Sequence, residues 1–161
     1  MYDSFLVMFG FMGIFFEFAL LIGSLISIFA FIGTLYDILR SLPEENLQFP
    51  TWFVWLMLIP YAGFIFSWLM QPFGIPNALK KSFPNNPEAI SQANTLFGLG
   101  FAMQILMTLV FLQACFKVHG IPALSYTVSA SSLVLWILYW VKCIKFRNHF
   151  LKKENEIYAN D

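Results

Sequence analysis

The sequence predicts an all-α integral membrane protein, a bundle of four transmembrane helices. The chain of 161 residues is 59% hydrophobic and only 11% charged, which leaves too little polar surface to enclose a soluble core. Its apolar residues collect in four blocks of about 20 residues, the length that crosses a hydrocarbon layer roughly 30 Å thick. The predicted spans are residues 15–36, 51–70, 95–116 and 123–141. We therefore expect a single membrane domain over residues 1–161, with a basic cytoplasmic tail over residues 142–161.

The first apolar region is too long for one upright span. A straight helix over residues 5–36 would reach well past the ~30 Å of the hydrocarbon layer. We expect an interfacial segment over residues 1–14, loosened at Gly10 and Gly13, before a span that starts at Phe15. The alternative is one steeply tilted helix, in which residues 1–14 belong to the first span.

Prolines mark the middle of the chain. Pro60 lies midway through the second predicted span, where its missing amide donor and its ring predict a kink. The run Asn86-Pro87-Glu88 has the pattern of an N-cap, a proline at the first helical position and an acid in the first turn. The third helix is therefore expected to begin before it enters lipid.

The positions of Lys and Arg predict the orientation, because loops rich in these residues stay in the cytoplasm. The first and third loops hold one each, Arg40 and Lys117, and the second loop and the tail hold the rest of the nine. Both termini are therefore predicted to be cytoplasmic. The orientation of the protein in the membrane is enough to explain this distribution of Lys and Arg. We further expect the basic residues of the second loop and the tail to contact anionic lipid, namely Lys80, Lys81, Lys142, Lys145, Arg147, Lys152 and Lys153.

Small and hydroxyl residues recur every three or four positions in the spans, which places them on single helix faces. Such faces let helix backbones approach closely and form interhelical hydrogen bonds. Packing within the bundle explains them, and docking of another subunit is the sharper hypothesis. The predicted packing or partner-contact residues are Gly63, Ser67, Gly98, Ala102, Gln104, Ser125, Ser129 and Ser132. Because a buried carboxamide needs a partner, Gln104 is expected to bond the serines of the fourth span.

Glu17 is the only formal charge within a predicted span. A charge inside hydrocarbon costs at least about 2.5 kcal/mol on insertion scales and often marks an ion or proton route. A span that starts near Phe15 would instead let this carboxylate reach water from the membrane edge. Glu17 is therefore predicted either to anchor the helix at the interface or to carry an ion or proton.

The sequence shows no pattern that predicts a catalytic, metal or cofactor site. It has no Ser-His-Asp pattern, no paired intramembrane acids, no glycine-rich phosphate loop and no haem-ligating pair of histidines within the spans. His119 and His149 each lack a second ligand at metal-binding spacing. We therefore expect no metal, no cofactor and no enzymatic activity. Nucleic acid is not expected as a partner, because Lys and Arg cluster at membrane edges rather than on a folded face.

Three phrases carry a resemblance: WFVWLMLIP at Trp52–Pro60, IPNALKK at Ile75–Lys81 and LWILYWVKCIKFRN at Leu135–Asn148. In these phrases the chain resembles a family of small bacterial multi-pass membrane proteins to which no activity is assigned. The resemblance covers the last three predicted spans. It implies a location in the bacterial cytoplasmic, or inner, membrane and carries over no function.

The functional expectation is an accessory or scaffold subunit. Its partners would be the lipid bilayer and other membrane-protein subunits, or further copies of itself. A small oligomeric transporter or channel is the alternative, with a path lined by Glu17, Gln104 and the serines of the fourth span.

Overall fold

The computed structural model describes the backbone of residues 2–116 and 122–151 and the side chains of residues 13–113 and 126–151, and in this part of the chain the secondary structure is helical, with short turns and loops and no strands. The chain divides into two units, one ending at Gly33 and the other beginning at Thr34. Five α-helices are described: α1 (Tyr2–Arg40), α2 (Ala62–Leu69), α3 (Ile75–Ser82), α4 (Pro87–Phe116) and α5 (Pro122–Phe146). Short 3₁₀ helices occupy Glu44–Asn46 and Thr51–Leu58, and π-helical turns occupy Met70–Gly74 and Arg147–Leu151.

Three of the described helices are long and apolar enough to cross a membrane, namely Gly13–Arg40, Pro87–Gln113 and Tyr126–Leu151. The all-α class and the membrane class are thus confirmed. The predicted count of four spans is not confirmed, because residues 51–70 do not form one helix.

Helix α1 is a single helix of 39 residues, about 58 Å long at 1.5 Å per residue. It runs through Gly10 and Gly13 without a break, so the expected loosening at these two glycines is wrong, and the interfacial placement of residues 1–14 stays a prediction. In the first unit, every described position from Gly13 to Ala30 is exposed apart from the half-buried Ser27. A helix that is apolar on all sides needs an apolar environment all round it, such as lipid or another membrane helix.

The second predicted span is a hairpin rather than a kinked helix. The 3₁₀ helix Thr51–Leu58, here called the arm, ends before Pro60, and α2 begins at Ala62. Tyr61 has a φ of 62°, and the N–H of Ala62 donates to the Pro60 carbonyl at 2.7 Å, which makes a tight three-residue turn. The rings of Phe53 and Phe66 then lie 4.9 Å apart, whereas a straight helix would separate them by about 20 Å.

Gly63 makes this reversal possible. A Cβ atom at Gly63 would collide with the backbone carbonyl of Met57 at the end of the arm. The glycine predicted as a helix-packing residue therefore packs inside the hairpin. Pro60 has no amide N–H to continue the hydrogen bonds of the arm, and Gly63 leaves the space in which the chain returns.

The reversal brings two predicted loops together. The Asn46 amide donates to the Ser82 hydroxyl at 3.2 Å, and the Asn77 amide donates to the Gln48 side chain at 3.4 Å. Asn46 and Gln48 belong to the predicted outer loop, and Asn77 and Ser82 belong to the predicted inner loop. Direct hydrogen bonds between these loops are incompatible with placing them on opposite sides of a membrane.

Helices α4 and α5 pack against each other in the second unit, and α4 also packs against α2 and α3. The start of α4 is as predicted, because the Asn86 side-chain oxygen accepts from the N–H groups of Glu88 and Ala89, both at 3.1 Å. One face of α4 is buried at intervals of three and four residues. Its members are Ala89, Ala93, Leu96, Gly100, Met103 and Gln104.

Candidate functional site

The candidate site forms at the π turn, Met70–Gly74, which joins α2 to α3. Proline lacks an amide hydrogen, so Pro72 and Pro76 remove two donors from the backbone ladder here. The Ile75 N–H reaches back five residues to the Met70 carbonyl. The Gln71 carbonyl could accept from residue 75 in an α-helix or from residue 76 in a π-helix, and it receives neither bond.

Tyr139 of α5 supplies the missing donor. Its hydroxyl donates to the Gln71 carbonyl at 2.8 Å, and both residues are buried. The sequence reading gave Gln71 no role. An unpaired carbonyl in an apolar interior costs several kcal/mol, so this bond offsets a defect that the prolines create. It also joins α5 to the π turn.

Gly100 of α4 lies against the same peptide group. A Cβ atom at this position would stand 2.9 Å from the Gln71 oxygen and 3.0 Å from its carbon. Only glycine therefore lets the α4 backbone approach the turn this closely. The π turn is held between a glycine of α4 and a tyrosine of α5.

Gln104 extends the contact one helical turn further along α4. Its amide nitrogen donates to the Gln71 side-chain oxygen at 2.7 Å, and its own oxygen lies 3.2 Å from the Ser67 hydroxyl. Gln104 was expected to pair with serines of the fourth span. It pairs instead with α2 and the π turn, because it shares the face of α4 that carries Gly100. Gln104 is thus buried and paired, but its predicted partners were wrong.

Two indole groups add hydrogen bonds between elements of the second unit. The Trp68 Nε1 donates to the Thr108 hydroxyl, and the Trp140 Nε1 donates to the Thr34 hydroxyl, both at 3.1 Å. The Thr108 hydroxyl in turn donates to the Gln104 carbonyl at 2.7 Å. Each indole is half-buried and uses its single N–H donor in a bond within the protein.

The predicted packing residues separate into two groups. Gly63, Ser67 and Gln104 make contacts within the second unit. Gly98 and Ser129 are exposed, and a Cβ atom at Gly98 would meet open space. Ala102 is half-buried, and the side chain of Ser125 lies outside the described residues.

Ser132 is the remaining member of the set. It is 4% exposed, and its hydroxyl has no hydrogen-bond partner among the described atoms. No described hydrogen bond joins it to Gln104. The stripe of fourth-span serines is therefore divided between a buried position and an exposed one, Ser129.

The predicted charged contacts lie mostly at the surface. Lys81, Lys142 and Lys145 are exposed, and the Lys80 ammonium lies 5.7 Å from the centre of the Phe97 ring. Arg147 is half-buried and forms an ion pair with Asp37 at 3.1 Å. Lys152 and Lys153 lie outside the described residues. Glu17 is exposed on α1 in the first unit.

An open cleft of about 470 Å³ lies beside the arm. Its lining combines aromatic, amide and carboxylate side chains and includes Tyr36, Glu44, Gln48 and Trp52. No group of three or more His, Cys, Asp or Glu residues in the described part of the chain is arranged to hold a metal ion.

The arrangement at the π turn is therefore a structural junction of amides and hydroxyls. Its buried donors are used in bonds between helices, and it brings together no acid and base. Its sequence signal is the pair Pro72 and Pro76, four residues apart, with a glutamine beside the first. That pattern reveals a carbonyl in need of a donor but does not name Tyr139 as the donor.

No protein-family model, no curated protein and no solved structure matches this chain.

Replacing Gln104 by leucine tests the amide pair. Gln104→Leu leaves the Gln71 side-chain oxygen without its donor, so we expect the free energy of unfolding in detergent micelles to fall by about 1–2 kcal/mol. The double variant Q71L/Q104L is expected to lose less than the sum of the single variants, because it leaves neither amide unpaired. Denaturant titration of all four proteins measures the difference.

Gln92→Leu is the matched control. Gln92 is also on α4, and its amide bonds only the nearby Glu88 side chain, at 3.3 Å. Its replacement should cost less than about 0.5 kcal/mol. Equal losses for Gln104→Leu and Gln92→Leu, or strictly additive losses in the double variant, would contradict a coupled amide pair.

Proposed function

We propose that this protein is an accessory or scaffold subunit of a membrane, which binds other membrane proteins or lipid through the outer faces of its helices. The observation that carries this proposal is how little of each long helix the chain itself covers. Each long helix contains an apolar stretch of 18 residues, and the buried share of that stretch is 22% in Gly13–Arg40, 22% in Pro87–Gln113 and 17% in Tyr126–Leu151. Most of each helix is therefore available to lipid or to another protein.

The division of polar groups supports the same proposal. The polar groups between the helices of the second unit form hydrogen bonds with one another, at Ser67, Gln71, Gln104 and Tyr139. On α1, the hydroxyls of Ser24 and Ser27 donate to backbone carbonyls of their own helix at 2.8 Å. The helix exterior is then left almost wholly apolar, which suits association inside a bilayer.

The bacterial cytoplasmic membrane is the proposed location. The resemblance of Trp52–Pro60 and Leu135–Asn148 to small bacterial multi-pass membrane proteins supports it. Membership of the family and the absence of enzymatic activity are both part of this proposal.

Gly98 offers the sharpest test of partner binding. It is exposed, with open space where a side chain would project, so Gly98→Leu should leave the thermal stability of the protein in detergent unchanged. If a partner helix packs against this face, the bulky side chain should abolish its co-purification in native nanodiscs. Mass spectrometry of the wild-type and variant complexes measures the loss.

Leu133→Ala is the control for this experiment. Leu133 is exposed on α5, so its truncation removes apolar bulk without inserting any. It should leave co-purification intact. Monomeric wild-type protein with no co-purifying protein and no bound lipid would contradict the proposed role.

A small transporter or channel is the second candidate, and the unpartnered buried hydroxyl of Ser132 favours it. Such a path would use Glu17, Gln104 and the fourth-span serines contributed by several copies. For an accessory subunit, we expect proteoliposomes of the wild-type protein and of Glu17→Gln to show the same proton leak as empty vesicles. A leak that the wild type produces and Glu17→Gln removes would favour the transporter instead.

A further inference from the structure

Several helices of the second unit begin or end close together, at one end of the unit. The Asn46–Ser82 hydrogen bond joins the first loop to the end of α3, and the Asp37–Arg147 ion pair joins the end of α1 to the turn after α5. The rings of Phe83 and Phe146 lie 5.8 Å apart. The ends of α1, α3 and α5 and the start of α4 therefore share this end.

This end also collects the positive charge, and it is here called the basic end. Every Lys and Arg whose side chain the structure describes lies on it. They are Arg40, Lys80, Lys81, Lys142, Lys145 and Arg147. The described residues at the opposite end, around Tyr61 and Tyr126, include neither Lys nor Arg.

The opposite end carries two strongly exposed tyrosines. Tyr61, at the tip of the hairpin, is 85% exposed, and Tyr126, near the start of α5, is 77% exposed. The stacked rings of Phe64 and Phe111, 5.1 Å apart, place the tip beside the last turns of α4. Tyrosine favours the headgroup level of a bilayer, so these residues mark a second membrane boundary.

The distance between the two boundaries fits a bilayer. The helical segment from Tyr61 to Lys80 and the helix from Tyr126 to Lys145 each rise by about 28 Å. The hydrocarbon layer is ~30 Å thick. Two separate elements thus give the same spacing between a tyrosine at one boundary and a lysine at the other.

We infer that the basic end faces the anionic headgroups of the cytoplasmic leaflet, so that the loops at residues 41–50 and 83–86 both lie on the cytoplasmic side of the membrane. Loops rich in Lys and Arg stay in the cytoplasm, whereas Asp and Glu count little toward orientation. On this inference the first loop lies on the same side of the membrane as the second loop, because the arm and the segment 62–82 run in opposite directions between the two ends.

Cysteine labelling tests the orientation. Single cysteines replace Tyr61, Glu44 or Asn85 in a background that carries Cys115→Ala and Cys143→Ala, and a membrane-impermeant maleimide is added to intact spheroplasts of a bacterial host. Glu44 and Asn85 are a matched pair, since both are exposed and lie in the two loops. Glu44→Cys and Asn85→Cys should react only after permeabilisation, and Tyr61→Cys, at the opposite end of the second unit, should react before it.

Labelling of Glu44→Cys alone in intact spheroplasts would restore the four-span arrangement and overturn the inference, and so would labelling of both loop cysteines. If the cysteine-free background does not fold, the same question is put to the wild-type chain with a short epitope tag. External protease should spare a tag inserted after Glu44 and a tag inserted after Asn85, and cleavage of either tag in intact spheroplasts would overturn the inference. Neither readout depends on a partner, so the orientation can fail or stand independently of the proposed function.

Discussion

A carbonyl oxygen without a donor is costly in hydrocarbon, and two prolines leave one at Gln71. The rest of the second unit is organised around that oxygen. Tyr139 donates to it from α5, Gly100 brings the α4 backbone against it, and Gln104 bonds the side chain of the same residue. Without these contacts, the π turn would break the segment 62–82 at its middle.

The closed junction explains how the chain arranges its polarity. Because α4 and α5 supply the bonds that the hairpin needs, the polar groups of the junction are paired within the second unit, and many apolar side chains on the outer faces of these helices are exposed. The hairpin in turn brings both loops of residues 41–86 to the basic end. The contacts that hold the Gln71 peptide group therefore also help to keep the loops and the Lys and Arg side chains at one end of the second unit.

Local features could be predicted from the sequence, and distant contacts could not. The Asn86 cap and the long apolar helices α4 and α5 follow from spacing and composition, and the structure has them. Pro60 predicts a lost backbone hydrogen bond. Whether the chain kinks or reverses there depends on the conformation of Tyr61 and on the contact between Gly63 and Met57. The sequence predicts that Gln104 is buried and needs a hydrogen-bond partner. It does not predict that the partner is Gln71, because that depends on which face of α4 packs against the π turn. The predicted orientation depends on the number of crossings, and residues 51–70, predicted as one span, form a hairpin instead.

The most direct measurement of the central claim compares two glycines of one helix, two residues apart. Gly100→Ala places a methyl group against the Gln71 peptide, whereas Gly98→Ala places one in open space. We expect Gly100→Ala to lower the free energy of unfolding in detergent micelles by about 1–3 kcal/mol. Gly98→Ala should leave it unchanged or raise it by up to about 1 kcal/mol, because alanine is the better helix former. Equal stability of the two variants would contradict the account that α4 packs on the Gln71 carbonyl through Gly100.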